Sequence, residues 1–263
     1  MMWYFLMSDA FTFGAFLISY GTIRFSVNSW ADPNQVFNAF PGFGHQNLPL
    51  AFVSLMTFIL IFSSVTMVLA LHGVHNMNRK GVEKYMILTI LGGLAFLGCQ
   101  AWEWTHLLTG EHVAMLGNGT LDVVPTTVKM NPWGTHVPHQ EITTALQNTS
   151  QAKLAEIAAT LQHGGAHATG TSKAELISAI QASPDFHVTH TGPIAFGGYF
   201  FGITGFHGFH VFSGVVINVV MWMKTRLGHF DQRGHYEMIE KAGLYWHFVD
   251  LVWVFVFLCF YLI

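Results

Sequence analysis

The sequence has few charged residues and few cysteines. Asp, Glu, Lys and Arg make up 10% of its 263 residues, whereas an ordinary soluble domain contains about 25%. The net charge of −3 lacks the basic excess that nucleic-acid binding requires, so we expect no nucleic-acid partner. The two cysteines, Cys99 and Cys259, lie in apolar runs, which excludes a disulfide framework and favours small buried side chains.

What the sequence has in abundance is long apolar segments. Each reaches the ~20 residues that a transmembrane helix needs, and they lie at 1–23, 48–72, 85–108, 194–223 and 242–263. The first segment has no basic N-terminal region and carries a carboxyl in mid-helix, so we expect a retained helix instead of a cleaved signal peptide. We predict an all-α fold: an integral membrane bundle of five transmembrane helices, with a helical extramembrane insert between helices three and four.

The predicted organisation has three parts. Transmembrane helices one to three occupy 1–108, a polar and partly helical insert occupies 109–193, and helices four and five occupy 194–263. The short loops 73–84 and 224–241 carry most of the basic residues. The positive-inside rule then places these loops and the N-terminus in the cytoplasm, with the C-terminus and the insert on the outer face.

The insert contains its own helix signals and several histidines. Apolar spacing within 141–162 predicts an amphipathic helix, and Ser172 with Glu175 predicts a capping box that opens a second short helix. Three histidine pairs have a spacing that suits a metal site on a helix: His136 with His139, His163 with His167, and His187 with His190. No cysteine lies nearby and acidic residues are few, so we predict solvated histidines, with a metal site as the alternative.

Polar side chains inside the apolar segments are candidates for function, because they are costly in hydrocarbon. Asp9 and Glu103 are the candidate proton-carrying carboxyls. By helical geometry, several other polar residues share faces of helices four and five. We predict that they form a structural polar seam: His207, His210, Asn218, His247 and Asp250.

Asp9 and a row of glycines lead to two further expectations. Asp9 lies about 12 Å from the inner end of helix one, and the alternative to a proton-exchanging role is a hydrogen bond to Ser63 or Ser64. Gly198, Gly202 and Gly205 lie roughly opposite the histidines on helix four. Small residues at this spacing predict close packing against another helix.

From the residues alone, two other classes of protein stay open. In a membrane cytochrome, His210 and His247 would bracket one haem, although His207 and His210 are too close together for two stacked sites. In a proton-coupled transporter, the membrane carboxyls and histidines would line a substrate path, although the sequence shows no internal repeat and no pair of broken helices.

Five stretches of the sequence, one in each apolar segment, together resemble a single family. They are MSDAFTFGAFLISY (7–20), IFSSVTMVLALHGVH (61–75), LGGLAFLGCQAWEW (91–104), FFGITGFHGFHVFSG (200–214) and AGLYWHFVDLVWVFVFLCFY (242–261). In family order, these resemble the helices of cytochrome c oxidase subunit III in the haem–copper oxidases. The chain departs from the family pattern in having five helices in place of seven, Asp9 in place of a glutamate, and a long outer insert in place of a short loop.

The resemblance implies an accessory subunit of a proton-pumping terminal oxidase in the aerobic respiratory chain. It implies that this chain has no catalytic residue and no metal, since haem and copper belong to partner subunits. It also implies contact with subunit I above all, and with subunit II and further respiratory-complex subunits. The implied roles are stabilisation of subunit I, phospholipid binding and support of proton uptake.

Three basic residues beside helix four are candidates for phospholipid binding: Lys224, Arg226 and His229. Each basic contact to an anionic headgroup contributes about 1 kcal/mol, and the other interpretation is that they are ordinary positive-inside anchors. We expect the protein in a bacterial inner membrane. Subunit III of a quinol oxidase is the alternative function, because nothing in the chain identifies the electron donor.

Overall fold

The computed structural model describes most of the chain, and all structural statements below concern that part. It covers residues 2–27, 30–31, 36–37, 50–76, 78–109, 111–125, 134, 137–161, 172–183, 186–228 and 237–262. Five of its helices are long and apolar enough to cross a membrane, which confirms the predicted number and order. They are α1 (Met2–Ser26), α2 (Ala51–His75), α3 (Arg79–Thr109), α7 (Ile194–Arg226) and α8 (Glu237–Phe257). A π-helical turn, Leu258–Leu262, continues α8.

Two of these helices begin earlier than the hydropathy predicts. Helix α3 starts at Arg79, which pairs with Glu83 at 3.0 Å, and α8 starts at Glu237, which pairs with Lys241 at 3.4 Å. Both are i,i+4 ion pairs of the kind that supports an exposed helical turn. Each helix therefore extends beyond its apolar segment by a charged turn, where a hydropathy window finds no signal.

The chain folds into two compact units. One, the helical unit, contains residues 1–22, 50–103 and 199–263, and the other, the insert unit, contains 23–49 and 104–198. The two units are described separately below.

In the helical unit, the indole of Trp246 on α8 is fully buried between three other helices. Its Nε1 donates a hydrogen bond to Ser63 Oγ on α2, at 3.0 Å. A Cβ added to Gly93 on α3 would lie 2.6 Å from the ring, and one added to Gly214 on α7 would lie 2.9 Å from it. The two glycines therefore make the room that this indole occupies, and α8 packs against α2, α3 and α7 through one side chain.

The glycines that the sequence singles out for close packing lie on an open surface of α7. Gly198 and Gly202 are exposed, and a Cβ added to either would meet nothing within 4 Å among the described residues. Close packing of another helix at these positions therefore stays a prediction. A close approach within the described part of the chain occurs at Gly214, on the face that carries the histidines.

The insert unit contains a small sheet that the sequence pattern did not predict. Strands β1 (Glu111–Met115) and β2 (Leu121–Pro125) form an antiparallel hairpin, and β3 (Val188–His190) pairs with β1 in parallel, in the order β2-β1-β3. Gly119 at the hairpin turn has φ 75°, a left-handed conformation that glycine adopts without strain. Gly119 therefore allows the chain to turn back into β2.

Three helices cover this sheet: α4 (His139–Asn148), α5 (Gln151–Leu161) and α6 (Lys173–Ala182). They share one apolar core with the strands, formed by side chains that include Leu121, Leu146, Leu154, Ile157, Ile180 and Val188. The capping box of Ser172 and Glu175 is present at the start of α6, as predicted.

The predicted helix over 141–162 is in fact two helices, divided at Thr149. The backbone of Thr149 is extended, and its Oγ1 accepts a hydrogen bond from Leu121 N at 2.9 Å while donating to Ala145 O at 2.6 Å. Because this hydroxyl bonds the start of β2, the chain leaves the helical path where it meets the sheet. A long-range contact of this kind has no local signal in the sequence.

Candidate functional site

Asp9 on α1 and His210 on α7 face each other within the helical unit. Asp9 Oδ2 lies 3.2 Å from His210 Nε2, and the two side chains are 14% and 8% exposed. The other ring nitrogen, Nδ1, lies 2.9 Å from the carbonyl oxygen of Phe206. Since a carbonyl only accepts, Nδ1 carries a hydrogen and donates it to Phe206.

This geometry shows which atoms of the pair can share a hydrogen. With a hydrogen on Nδ1, a hydrogen bond between Nε2 and Oδ2 needs one further hydrogen, on either the imidazole or the carboxyl. Both arrangements are neutral overall, one as an ion pair and one as two neutral groups.

Two aromatic rings contact the imidazole of His210. The ring of Phe13 lies 5.5 Å from that of His210, and the ring of Phe206 lies 4.6 Å from it, both edge-on. Tyr245 Oη donates to the carbonyl oxygen of His210 at 3.2 Å, and Ser213 Oγ donates to the same oxygen at 2.9 Å. The pair thus lies in an apolar surrounding that strengthens the electrostatic interaction between its members.

The alternative expectation for Asp9, a bond to Ser63 or Ser64, is wrong. Ser63 Oγ accepts from the Trp246 indole and lies 3.3 Å from Thr89 O, to which it donates. Ser64 Oγ lies 2.7 Å from His247 Nδ1. The actual partner of Asp9 is 201 residues distant in the chain.

Glu103, the second candidate carboxyl, is buried near the C-terminal end of α3 with 5% exposure. Gln100 Nε2 donates to its Oε2 at 3.1 Å, and the Tyr261 hydroxyl lies 3.3 Å from both carboxyl oxygens. Tyr261 belongs to the π-helical turn that follows α8. The local sequence around Glu103 gives no sign of Tyr261, because the two residues are 158 positions apart in the chain.

The residues of the predicted polar seam contact different helices instead of one another. His207 is fully buried between the rings of Phe96 and Trp253, and its Nε2 donates to the carbonyl of Val249 on α8 at 3.1 Å. Asn218 is buried on the same helix, 11 residues after His207. Its amide atoms have no hydrogen-bond partner among the described residues. His247 and Asp250 both face Ser64 on α2.

The candidate lipid-binding residues lie at the end of α7. Arg79 donates from Nη2 to the carbonyl of Arg226, which caps the helix with a positive charge as the helix dipole favours. The Arg226 guanidinium lies 5.4 Å from the centre of the Trp222 ring. Lys224 is partly exposed beside it, and His229 lies outside the described residues.

Of the six histidines in the three predicted pairs, the structure describes His139, His187 and His190. His190 Nε2 lies 3.8 Å from Glu141 Oε2, and His136, His163 and His167 lie outside the described residues. Within the part of the chain that is described, no three His, Cys, Asp or Glu side chains are grouped as a metal ion requires.

Five membrane-spanning helices joined by buried polar bonds define an integral membrane protein. The profile of the family described as cytochrome c oxidase subunit III matches residues 1–111 and 176–263. The chain therefore belongs to the cytochrome c oxidase subunit III family, which confirms the resemblance. The unmatched segment between the two parts falls within the insert unit.

Individual relatives support the same assignment. Cytochrome c oxidase subunit 3 of Pylaiella littoralis is 29% identical over 198 residues, which cover 70% of this chain and 67% of the relative. The subunit 3 proteins of Marchantia polymorpha and Synechocystis sp. are 46% and 42% identical over 66 and 69 residues, or 25% and 26% of this chain. These two matches span 24% and 29% of the relatives' own lengths.

Proposed function

We propose that this chain is the non-catalytic subunit III of a haem–copper terminal oxidase, which reduces dioxygen to water and pumps protons. The observation that carries the proposal is the family match, which extends over all five membrane helices. In this role the subunit packs against subunit I, contacts subunit II and further respiratory-complex subunits, and stabilises the assembly. Its location is a bacterial inner membrane, with the N-terminus in the cytoplasm by the positive-inside rule.

The histidines in the membrane helices support an accessory role over that of a cytochrome. Both ring nitrogens of His210 are hydrogen-bonded, and His247 Nδ1 bonds Ser64. His207 is fully enclosed by aromatic side chains and a backbone carbonyl. These hydrogen bonds occupy ring nitrogens that the ligation of a haem would need, which supports the accessory role. Haem and copper therefore belong to partner subunits in this proposal.

The shared-proton pair of Asp9 and His210 is the element that supports proton uptake. Asp9 lies seven residues after the start of α1, about 10 Å along the helix at 1.5 Å per residue. A proton moves between Oδ2 and Nε2 without a net charge entering the apolar surrounding. Glu103 is the second carboxyl candidate, and the basic residues Lys224, Arg226 and His229 bind anionic headgroups at the inner surface.

The test is purification of the complex through an affinity tag on this chain, followed by mass spectrometry of the intact assembly. We expect haem–copper subunits I and II to co-purify in equal stoichiometry, and the identity of subunit II to distinguish a cytochrome c oxidase from a quinol oxidase. Deletion of this subunit should leave an active oxidase that loses activity faster during turnover. Recovery of the chain without any haem–copper subunit would overturn the proposal.

A further inference from the structure

The hydroxyl of Tyr245 on α8 contacts the main chain of α7 at His210. It lies 3.2 Å from the carbonyl oxygen of His210 and 2.7 Å from Ser213 Oγ. Ser213 Oγ lies 2.9 Å from the same carbonyl oxygen. Because a carbonyl oxygen only accepts, the two hydroxyls supply the hydrogens of these three contacts. Tyr245 and Ser213 therefore join α8 to α7 at the residue that carries the imidazole.

The ring of Tyr245 places the same residue beside α1. Its centre lies 6.1 Å from that of the Phe5 ring, and Phe5 precedes Asp9 by about one helical turn. On α7, a Cβ added to Gly214 would lie 3.2 Å from Tyr245 Cε1. Tyr245 is buried, with 3% exposure. It therefore contacts both of the helices that contribute to the hydrogen bond between Asp9 and His210.

The helices that meet at Tyr245 differ in how firmly they are packed. Helix α8 has nine buried residues, whereas α1 has three, Leu6, Phe13 and Tyr20. Close packing of buried side chains is what holds a helix in a fixed position among its neighbours. Helix α8 is therefore the firmer support, and its residue Tyr245 is placed to fix the turn of α7 that faces α1.

The hydrogen bond between Asp9 and His210 depends closely on where that turn lies. His210 Nδ1 is 2.9 Å from the carbonyl oxygen of Phe206, which fixes the imidazole relative to its own helix. His210 Nε2 is 3.2 Å from Asp9 Oδ2, on a different helix. Since a separation of about 3.6 Å is too long for a side-chain hydrogen bond, a displacement of α7 by about 0.4 Å is enough to lose it.

We propose that Tyr245 is a positioning residue for the hydrogen bond between Asp9 and His210, because its hydroxyl fixes the turn of α7 that carries His210 against α8. The inference rests on the proposed function for the role of the pair in proton uptake. It adds which residue, on a third helix, keeps the carboxyl and the imidazole within reach of each other.

Tyr245→Phe tests the inference, because it keeps the ring and its contacts and removes only the hydroxyl. In the wild type, displacement of the α7 turn costs a hydrogen bond of Tyr245, and in the variant it does not. We therefore expect the ratio of hydrogen-bonded to free Asp9 carboxyl to fall about fivefold, the equilibrium value of one typical hydrogen bond.

Infrared difference spectroscopy of the purified complex measures this ratio. Isotope-labelled aspartate identifies the aspartate bands, and the band that Asp9→Asn removes belongs to Asp9. A hydroxyl that merely supports the bundle would lower stability in Tyr245→Phe without moving this band. An Asp9 band with the wild-type position and intensity in Tyr245→Phe would overturn the inference. Ser213→Ala removes the other hydroxyl of the contact and should shift the band in the same direction by less.

Tyr199→Phe is the matched control. The Tyr199 hydroxyl lies 2.6 Å from Ser19 Oγ, so it also joins α7 to another helix. It lies 11 residues before His210, about 16 Å along α7 at 1.5 Å per residue. We expect this variant to keep the wild-type Asp9 band. An equal change in Tyr199→Phe would show that any loosening of α7 disturbs the pair, which would also overturn the specific role of Tyr245.

Oxygen-consumption time courses of the same variants separate this inference from the proposed function. If the pair supports proton uptake, Tyr245→Phe and Asp9→Asn should both lose activity faster than the wild type during sustained turnover. If Asp9→Asn inactivates at the wild-type rate, the proposed role of the pair fails. The infrared comparison still decides whether Tyr245 positions it, because the Asp9 band does not depend on turnover.

Discussion

Asp9 and Glu103 are both buried carboxyls of membrane helices, but their partners differ in kind. Asp9 faces an imidazole, a group that takes up and releases protons, at 3.2 Å. Glu103 faces an amide and a phenol among the described residues, and both are neutral hydrogen-bond donors. We propose that a carboxyl beside a base passes a proton locally, whereas one held by neutral donors joins helices. On this proposal the chemical partner, more than the depth in the membrane, separates a proton carrier from a structural carboxyl.

The largest expected effect comes from removing the base of the Asp9 pair. His210→Leu leaves the Asp9 carboxyl in an apolar surrounding without a partner, and we expect a loss of about 3 kcal/mol in the free energy of unfolding. SDS titration of the purified complex, followed by release of this subunit, measures the change. The double variant Asp9→Asn, His210→Leu removes the carboxylate as well and should recover part of the loss. If the double variant recovers none of the lost stability, the loss in His210→Leu arises from the packing of the imidazole and not from its interaction with Asp9.

Tyr261→Phe tests the hydrogen bond that holds the second carboxyl, Glu103. The variant removes the hydroxyl that bonds Glu103 and keeps the ring, so we expect a loss of about 1 kcal/mol, typical of one hydrogen bond. The same SDS titration measures it. Tyr4→Phe is the control, because the Tyr4 side chain is exposed on α1 and should change nothing. A Tyr261→Phe variant as stable as the wild type would show that the phenol does not hold Glu103.

Asp9→Asn asks whether the shared proton has a function. The amide keeps the shape and donates to His210 Nε2, but it does not exchange a proton, so we expect a stability change below about 1 kcal/mol. The oxygen-consumption rate of the oxidase should nevertheless decline faster during sustained turnover. Turnover, proton pumping and inactivation all at wild-type rates would make Asp9 a packing residue.

Glu103→Gln should have the smallest effect of the four. The amide oxygen still accepts from Tyr261, and no base beside the site depends on the carboxyl, so we expect a change of about 0.5 kcal/mol and unaltered turnover. The measurement is the oxygen-consumption time course, with the Asp9→Asn variant beside it. Faster inactivation in Glu103→Gln would indicate that Glu103 has the same role as Asp9, and it would contradict the proposed difference between the two carboxyls.

The hydrophobic pattern was enough to predict the five membrane helices. It was not enough to pair Asp9 with His210, because the partner of a membrane carboxyl depends on how each helix is rotated about its axis. Tyr261 was missed for a related reason: the π-helical turn changes the direction of its side chain from that of a regular helix. A wider helical turn has no signature in hydropathy.

The insert unit was predicted less completely than the helical unit. Its capping box was readable because Ser172 and Glu175 are three residues apart and act on the same helical turn. The sheet was not, since β1 must pair with β3 across more than 70 residues of chain, and each strand has five residues or fewer. Local sequence patterns predict local structure, but they do not predict short strands that pair with residues distant in the chain.

The position of Trp246 on the last of the five spans bears on the order in which the protein matures. Its surroundings, Ser63, Gly93 and Gly214, belong to helices that a ribosome synthesises first. A chain without α8 lacks the indole that fills the space beside Gly93 and Gly214 and that donates to Ser63 Oγ. We therefore expect α2, α3 and α7 to pack together less stably in a chain truncated before Glu237 than in one that includes α8.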